Sequence, residues 1–295
     1  MKAAVEVGYA SFPGVDHFRA FAILMIAGLA GTTLIRLAPG FGLEEQVMDP
    51  RRSAESVRAI ERRHEGERNP LEFYVRFWFG LMRGDAGEST VYRQPVRRLI
   101  SERADTTVRS VLLGLTLGWC AALVVASTGA LSGRGAAILA GTALSGALLS
   151  IPSALLAAIC LLLRLSPGTA IAAVVFPRIF PHAYEQLRGS LVAPHVIMAH
   201  ARGLSATRVF LRYAAPAAGL PLLALAGVSV TLAFGASIPI EAFADSPGIG
   251  QLAWRAALGR DLPVLVPITL LLTGTTVIVN TFVDLAVERL GRHAT

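Results

Sequence analysis

Charged residues in this chain are separated by long uncharged runs. Between Arg19 and Arg36 lie 16 uncharged positions, between Arg109 and Arg134 24, between Arg134 and Arg164 29, between Arg212 and Glu241 28, and between Asp261 and Asp284 22. A helix needs roughly 17 to 25 apolar residues to cross a bilayer's hydrocarbon core, so five crossings follow directly. A sixth is weaker: Leu165 to Tyr184 is apolar apart from Arg178 and carries Pro177 and Pro181. Proline lacks an N–H and its ring meets the carbonyl four residues back, so Pro152, Pro177 and Pro181 are expected to kink or interrupt their helices. The expected fold class is all-α, a polytopic membrane protein with six transmembrane helices.

The stretch 36–109 between the first two spans has a different pattern. Asp49-Pro50 and Asn69-Pro70 each set a capping side chain before a proline at a first helical position. Leu71, Tyr74, Val75, Trp78 and Met82 then form one apolar stripe, which Gly84 can end. A further helix from Pro95 places Val96, Leu99, Ile100 and Arg103 along one side as it leads into span two. The segment is expected to be a helical cap on the outer membrane surface.

Composition agrees with the spans. Apolar residues make up 54% of the chain and charged residues 16%, against about 25% charged in an ordinary soluble domain. This excludes a soluble enzyme, a nucleic-acid binder and a disordered chain; the net charge of +7 is better explained by loops flanking membrane spans. Cys120 and Cys160 fall inside predicted spans and imply packing, not a disulfide. An uncleaved first span is preferred to a signal peptide, because no suitable small-residue cleavage site follows it.

Orientation follows from basic residues in the short loops. Lys2 and Arg19, Arg134, the group Arg188, Arg202, Arg208 and Arg212, and finally Arg289 and Arg292 all fall on one side, which is the cytoplasm. Residues 1–17 and 291–295 are then cytoplasmic tails, and 36–109 is periplasmic. The loop 188–216 is cytoplasmic and the loop 241–262 periplasmic.

Catalytic patterns are incomplete. His64-Glu65 starts an H-E-x-x-H zinc motif but continues Gly66-Glu67-Arg68, and Gly235-Ala236-Ser237 runs on into Ile238-Pro239. His182, His195 and His200 lack a carboxylate at metal-ligand spacing, so no metal site is expected. A phosphate-binding loop needs a lysine, and the only lysine is Lys2. Nucleotide energy, if used, must come from another polypeptide.

Two loops are too structured to be connectors. In the first, a short helix reaching Met198 and Ala199 can end at Gly203, since glycine adopts a left-handed conformation that costs other residues roughly 1 to 2 kcal/mol. After Leu204, Ser205 can cap the next helix, on which Arg208 and Arg212 share a face. In the second, Ser246-Pro247-Gly248-Ile249-Gly250 forces a turn after Glu241, and Arg260-Asp261-Leu262-Pro263 precedes the last span. Polar backbone there must line a cavity or lie against protein. Asp284, near the end of the last span, is expected to pair with a neighbouring arginine, and Gly114 with Gly118 to mark close helix contact.

Ala199-His-Ala-Arg-Gly203-Leu-Ser, followed by Arg212 and Leu220-Pro221, resembles the cytoplasmic coupling (EAA) loop of binding-protein-dependent ABC importer permeases. Glu241-Ala-Phe, Pro247-Gly-Ile-Gly250, Arg260-Asp-Leu-Pro263, and Asn280 with Asp284 follow in the order of the dipeptide, oligopeptide and nickel branch. Arg36-Leu-Ala-Pro-Gly40, Leu81-Met-Arg-Gly-Asp85, Gln94-Pro-Val and Ile100-Ser-Glu-Arg103 resemble the first permease of that branch. The resemblance covers about residues 18–290. It departs where Ile197 replaces the glutamate of the wider superfamily, where His200 replaces a basic residue, and in the short Arg188 to His195 stretch containing Pro194.

The resemblance implies a heteromeric importer: this chain, a second homologous permease, two ABC ATPase subunits and a periplasmic or lipid-anchored solute-binding protein, in a bacterial inner membrane. It implies no cofactor on this chain, with ATP and Mg on the ATPase subunits. Coupling to the ATPase then falls on Met198, Ala199, Arg202, Gly203, Leu204, Ser205, Arg208 and Arg212, although the two last arginines equally suit anionic lipid headgroups. Glu241, Pro247, Gly248, Gly250 and Asp261 are expected at an outer gate or binding-protein contact, or simply to redirect the chain. Arg178, a charge within a span, is a candidate for the solute pathway, or for an internal pair. An ion-coupled secondary transporter or channel is the alternative, and would favour acidic residues buried at mid-membrane, which the spans lack.

Overall fold

The computed structural model describes residues 83–132 and 135–292, residues 75 and 77–81, and isolated positions between 22 and 33. Among these the chain is almost wholly helical. The first predicted span, most of the cap, and its Asp49-Pro50 and Asn69-Pro70 starts lie outside the described residues.

Helix α1 (Val96–Ser132, 37 residues) joins the helix predicted from Pro95 to span two without a break. Helices α2 (Gly135–Ser150) and α3 (Ser153–Leu162) follow. Then come α4 (Pro167–Leu191), α5 (Pro194–Ala201), α6 (Ala206–Phe243), α7 (Ile249–Leu258) and α8 (Leu262–Arg292). Helices α1, α6 and α8 are each long and apolar enough to cross a membrane.

The uncharged run between Arg134 and Arg164, expected as one crossing, is not one straight helix but the pair α2 and α3, bent by 102°. Pro152 stands at the break in an extended conformation (φ −58°, ψ 141°) and has no N–H to continue the α2 ladder. Pro177 and Pro181, by contrast, do not interrupt α4, which runs 25 residues, about 37 Å at 1.5 Å per residue. Pro216 acts between these extremes. Having no N–H to offer the Arg212 carbonyl, it accompanies a wide turn over Phe210–Ala214, where the Ala215 N–H reaches back to Phe210 O.

Helix α4 is the centre of the bundle and packs on α1, α2, α3 and α6. One face carries Phe176, Phe180 and Tyr184, stacked with ring centroids 5.7 and 6.4 Å apart. Its approach to α1 depends on missing side chains. A Cβ on Gly114 would lie 2.5 Å from Ile171 Cγ2 and 2.9 Å from the Gly168 carbonyl, and one on Gly118 2.9 Å from Val175 Cγ1. The G-x-x-x-G pair therefore sets the α1–α4 distance.

A second core forms at the α7 end of the molecule, where Val96 and Leu99 of α1 meet Ile249, Leu252 and Ala256 of α7 and Val264 and Ile268 of α8. The chain before α1 joins it. Gly84 has φ +79° and ends a helical turn as expected, while Phe77 and Trp78 pack on Val266 and Leu270 of α8. Val75, expected on the buried stripe, is exposed.

Gly114→Ala should force α1 and α4 apart and lower stability by about 1–3 kcal/mol. Thermal unfolding of the detergent-purified chain checks this. Gly146→Ala, with open space around its Cβ, should leave the transition unchanged.

Candidate functional site

Two structured ends flank the bundle. At the α7 end, the helix α7 starts without a capping side chain of its own, because Gly248 occupies its N-cap. Its first N–H groups still need partners. Thr107, from α1, accepts the Ile249 N–H at 2.7 Å. Glu241, from the end of α6, accepts the Gly250 N–H at 2.8 Å on Oε2, and the Thr107 hydroxyl donates to the same oxygen at 3.0 Å. One carboxylate and one hydroxyl thus cap α7 from two other helices, with the negative charge placed at the positive end of the helix dipole.

Both glycines are dictated by this clasp. A Cβ at Gly248 would overlap the Glu241 carboxylate and come within 2.6 Å of Thr107 Oγ1. At Gly250 it would meet the backbone of α6, 2.6 Å from Ser237 O and 2.8 Å from Ile238 Cα. Glu241 is 0% exposed, and its Oε1 has no hydrogen-bond partner among the described residues. That unpaired oxygen offsets part of what the clasp contributes.

Asp261 makes a second clasp nearby and is also fully buried. Its carbonyl starts α8 by accepting the Val264 and Leu265 N–H groups at 3.2 and 3.0 Å. Its carboxylate instead holds the turn before α1, accepting the Ser89 hydroxyl and the Thr90 and Val91 N–H groups, the last two at 3.3 Å. Ser89 Oγ also accepts the Tyr92 N–H at 2.8 Å. At the rim, Asp245 accepts from Gln251 at 2.7 Å and from Arg255 at 3.0 Å. Pro247 is exposed. The structure thus unites Glu241, Gly248 and Gly250 in one clasp and sets Asp261 in its neighbour.

At the opposite end, α5 turns back through Gly203 at φ +78°, with the Gly203 N–H bonded to His200 O at 2.9 Å. No atom lies within 4 Å of where a Gly203 Cβ would stand, so the glycine is needed for conformation, not space. Val196 and Ala199 are buried against α4 and α6, whereas Ile197 and Met198 are 57% and 62% exposed. Arg202, Arg208 and Arg212 are exposed, Leu204 is half-buried. Ser205 occupies the N-cap of α6 in an extended conformation and its carbonyl accepts the Val209 N–H at 2.9 Å, but its hydroxyl makes no cap bond. The expected side-chain cap is therefore replaced by main-chain bonding alone.

Arg178 lies midway along α4 and is exposed, with no ion pair among the described residues. His182 and Glu185, the next residues along the same face, are exposed too. Asp284, expected to pair with an arginine, is exposed and has no ion pair among the described residues. An apolar cleft of about 480 Å³ separates α1 from α6, lined by Leu115, Trp119, Leu123, Leu222 and Val230 among others. The Trp119 indole N–H donates to Ser229 Oγ at 2.9 Å across it.

Sequence reasoning missed Thr107, Ser89 and Glu185, and weighed His182 only as a metal ligand. For Thr107 a signal existed: it continues the Val96, Leu99, Arg103 side of α1 by one turn, so it is a polar residue on a buried stripe. Glu185 was placed outside its span because α4 extends further than the apolar run.

Residues 114–295 match the model of the binding-protein-dependent transport system inner membrane component family, and the chain belongs to that family. It is therefore an integral membrane permease component, not the ATPase, of a binding-protein-dependent transport system. Among its relatives, a probable peptide ABC transporter permease of Sinorhizobium fredii is 26% identical over 90% of this chain and 93% of its own length. The oligopeptide permease OppB of Haemophilus influenzae is 27% identical over 85% of this chain and 88% of its own. The glutathione permease GsiC of Salmonella choleraesuis is 26% identical over 88% and 91%.

Glu241→Ala should leave the Gly250 N–H and the Thr107 hydroxyl unpaired in a buried site and cost about 1–3 kcal/mol. Glu241→Gln, which keeps an acceptor, should lose less. Thermal unfolding and solute uptake, measured on the same preparations, check the order.

Proposed function

We propose that this chain forms half of the solute pathway in an ATP-driven importer of peptides or similar small solutes. The second half is a homologous permease, two ABC ATPases bind the α5 side, and a solute-binding protein delivers cargo to the α7 side. The relatives' peptide, oligopeptide and glutathione transport names support the cargo class. The full count of six spans takes the undescribed first span, α1, the bent α2–α3 pair, α4, α6 and α8. With both termini cytoplasmic, α5 lies in the cytoplasm and α7 in the periplasm, as the arginine distribution requires.

The observation that carries this reading is the α5 knob. It is a helix of eight residues that anchors itself by Val196 and Ala199, offers Ile197 and Met198 outward, and turns at a left-handed glycine. Closure of the ATPase pair moves this knob, with Arg202, Leu204, Ser205, Arg208 and Arg212 around it. Helix α6 runs from the knob past Glu241 to Phe243, 38 residues or about 57 Å, and so carries the displacement to the outer clasp. In this mechanism opening of the outer gate separates Thr107 on α1 from the Glu241–Gly250 unit, Pro247 meets the binding protein, and Asp261 keeps the turn before α1 attached. Arg178 lines the pathway between these ends.

Gly203→Val puts a β-branched residue at positive φ. The complex should assemble and hydrolyse ATP with uptake reduced at least tenfold. Gly203→Asn, which tolerates this conformation, should keep most coupling. Normal uptake by the valine variant would refute the assignment of α5.

A further inference from the structure

We infer that Arg178, His182 and Glu185 of α4 form a water-exposed ladder on the cytoplasmic half of the pathway that reads the two terminal charges of a zwitterionic, peptide-sized solute. This rests on the importer reading above and deepens it by assigning the solute's chemistry to named residues.

The argument starts from one stripe of α4. Ile171, Val175, Arg178, His182, Glu185 and Gly189 recur at intervals of three or four residues, so they share a face. The upper part of that stripe is covered: Ile171 packs against Gly114 and Val175 against Gly118 of α1. From Arg178 downward the same face is uncovered, and every member is exposed. At 3.6 residues per turn the polar part lies about 170° from the stacked Phe176, Phe180 and Tyr184 row, which is turned into the protein. The charged groups therefore point away from the bundle.

Their depth follows from neighbours on α1. Val175 is level with Gly118, and Tyr184 Cε2 stands 3.5 Å from where a Gly129 Cβ would be. Arg178, between Val175 and Tyr184, is thus level with the middle of the uncharged run from Arg109 to Arg134. That is the centre of the membrane, roughly 15 Å from either surface of the hydrocarbon core. An arginine there is costly against lipid and belongs beside water or polar groups. Among the described residues no carboxylate pairs with it, and Glu185 is equally without an ion pair.

Size selects the ligand. Glu185 stands seven positions after Arg178, about 10.5 Å along the helix axis. An extended chain of three residues spans about 10 Å. A carboxylate held at Arg178 and an ammonium held at Glu185 fit that separation, with His182, whose Nδ1 is bonded to the Arg178 carbonyl at 3.0 Å, between them.

The test uses the assembled importer in inside-out vesicles, with Cys120 and Cys160 replaced by alanine. Gln186→Cys and Gly189→Cys, exposed beside the intact ladder, and the buried Ile179→Cys, Ala183→Cys and Leu187→Cys are each treated with a membrane-impermeant thiol reagent from the cytoplasmic side. Labelling should occur at the first two and not the last three, trialanine should slow it at least threefold, and Arg178→Gln or Glu185→Gln in the same background should abolish that protection. N-acetyl-trialanine amide, which has no terminal charges, should give no protection. Protection by both peptides alike overturns the charge-reading role. Labelling in the isolated chain but not in the complex overturns the pathway and makes the stripe a contact with the second permease. ATP-driven trialanine uptake by the unsubstituted complex is recorded in parallel. If ATP does not drive it, the importer reading fails; if ATP drives it while positions 186 and 189 stay unlabelled, only this inference fails.

Discussion

The first two N–H groups of α7 cannot be satisfied by α7 itself, and in a membrane protein no solvent is assured to do it. Glu241 and Thr107 resolve this by converging on one point from α6 and α1. Everything on that side of the molecule is arranged around the junction. Gly248 and Gly250 lack side chains because the carboxylate and the α6 backbone occupy that space. The core of Val96, Leu252 and Ile268 forms at the same end and includes Ile249, the first residue of α7. Asp261 repeats the device one element later, with a carboxylate from one segment gathering the backbone N–H groups of another.

Helix α6 connects this junction to the α5 knob, and the two ends differ in kind. The clasp is held by buried hydrogen bonds, while the knob is held by two small apolar anchors and a left-handed turn. The wide turn over Phe210–Ala214 sits between the knob and the straight part of α6. Such turns recur at functional sites.

Helix α4 combines tight packing with exposed charge. Its upper stripe is buried by glycines on α1, its aromatic row fills the interior, and its lower stripe is left to Arg178, His182 and Glu185. Two prolines within it remain helical because neighbours on several sides hold the segment. Pro152, exposed where Pro177 is buried, ends its helix outright, so the run expected as the third crossing is a bent pair.

Uncharged runs and the glycine at 203 were legible in the sequence, because each expresses a local rule: apolar length for lipid, φ for a turn. The helical class, the long apolar runs within α1, α6 and α8, and the Gly203 turn could therefore be read directly. The partners of Glu241 could not, since Thr107 is 134 residues away and only helix packing brings them together. Nor could the exposed face of α4, because whether a charged stripe meets protein or open space depends on where α1 crosses it. Periodicity decides which residues share a face; the arrangement of neighbouring helices decides what that face meets.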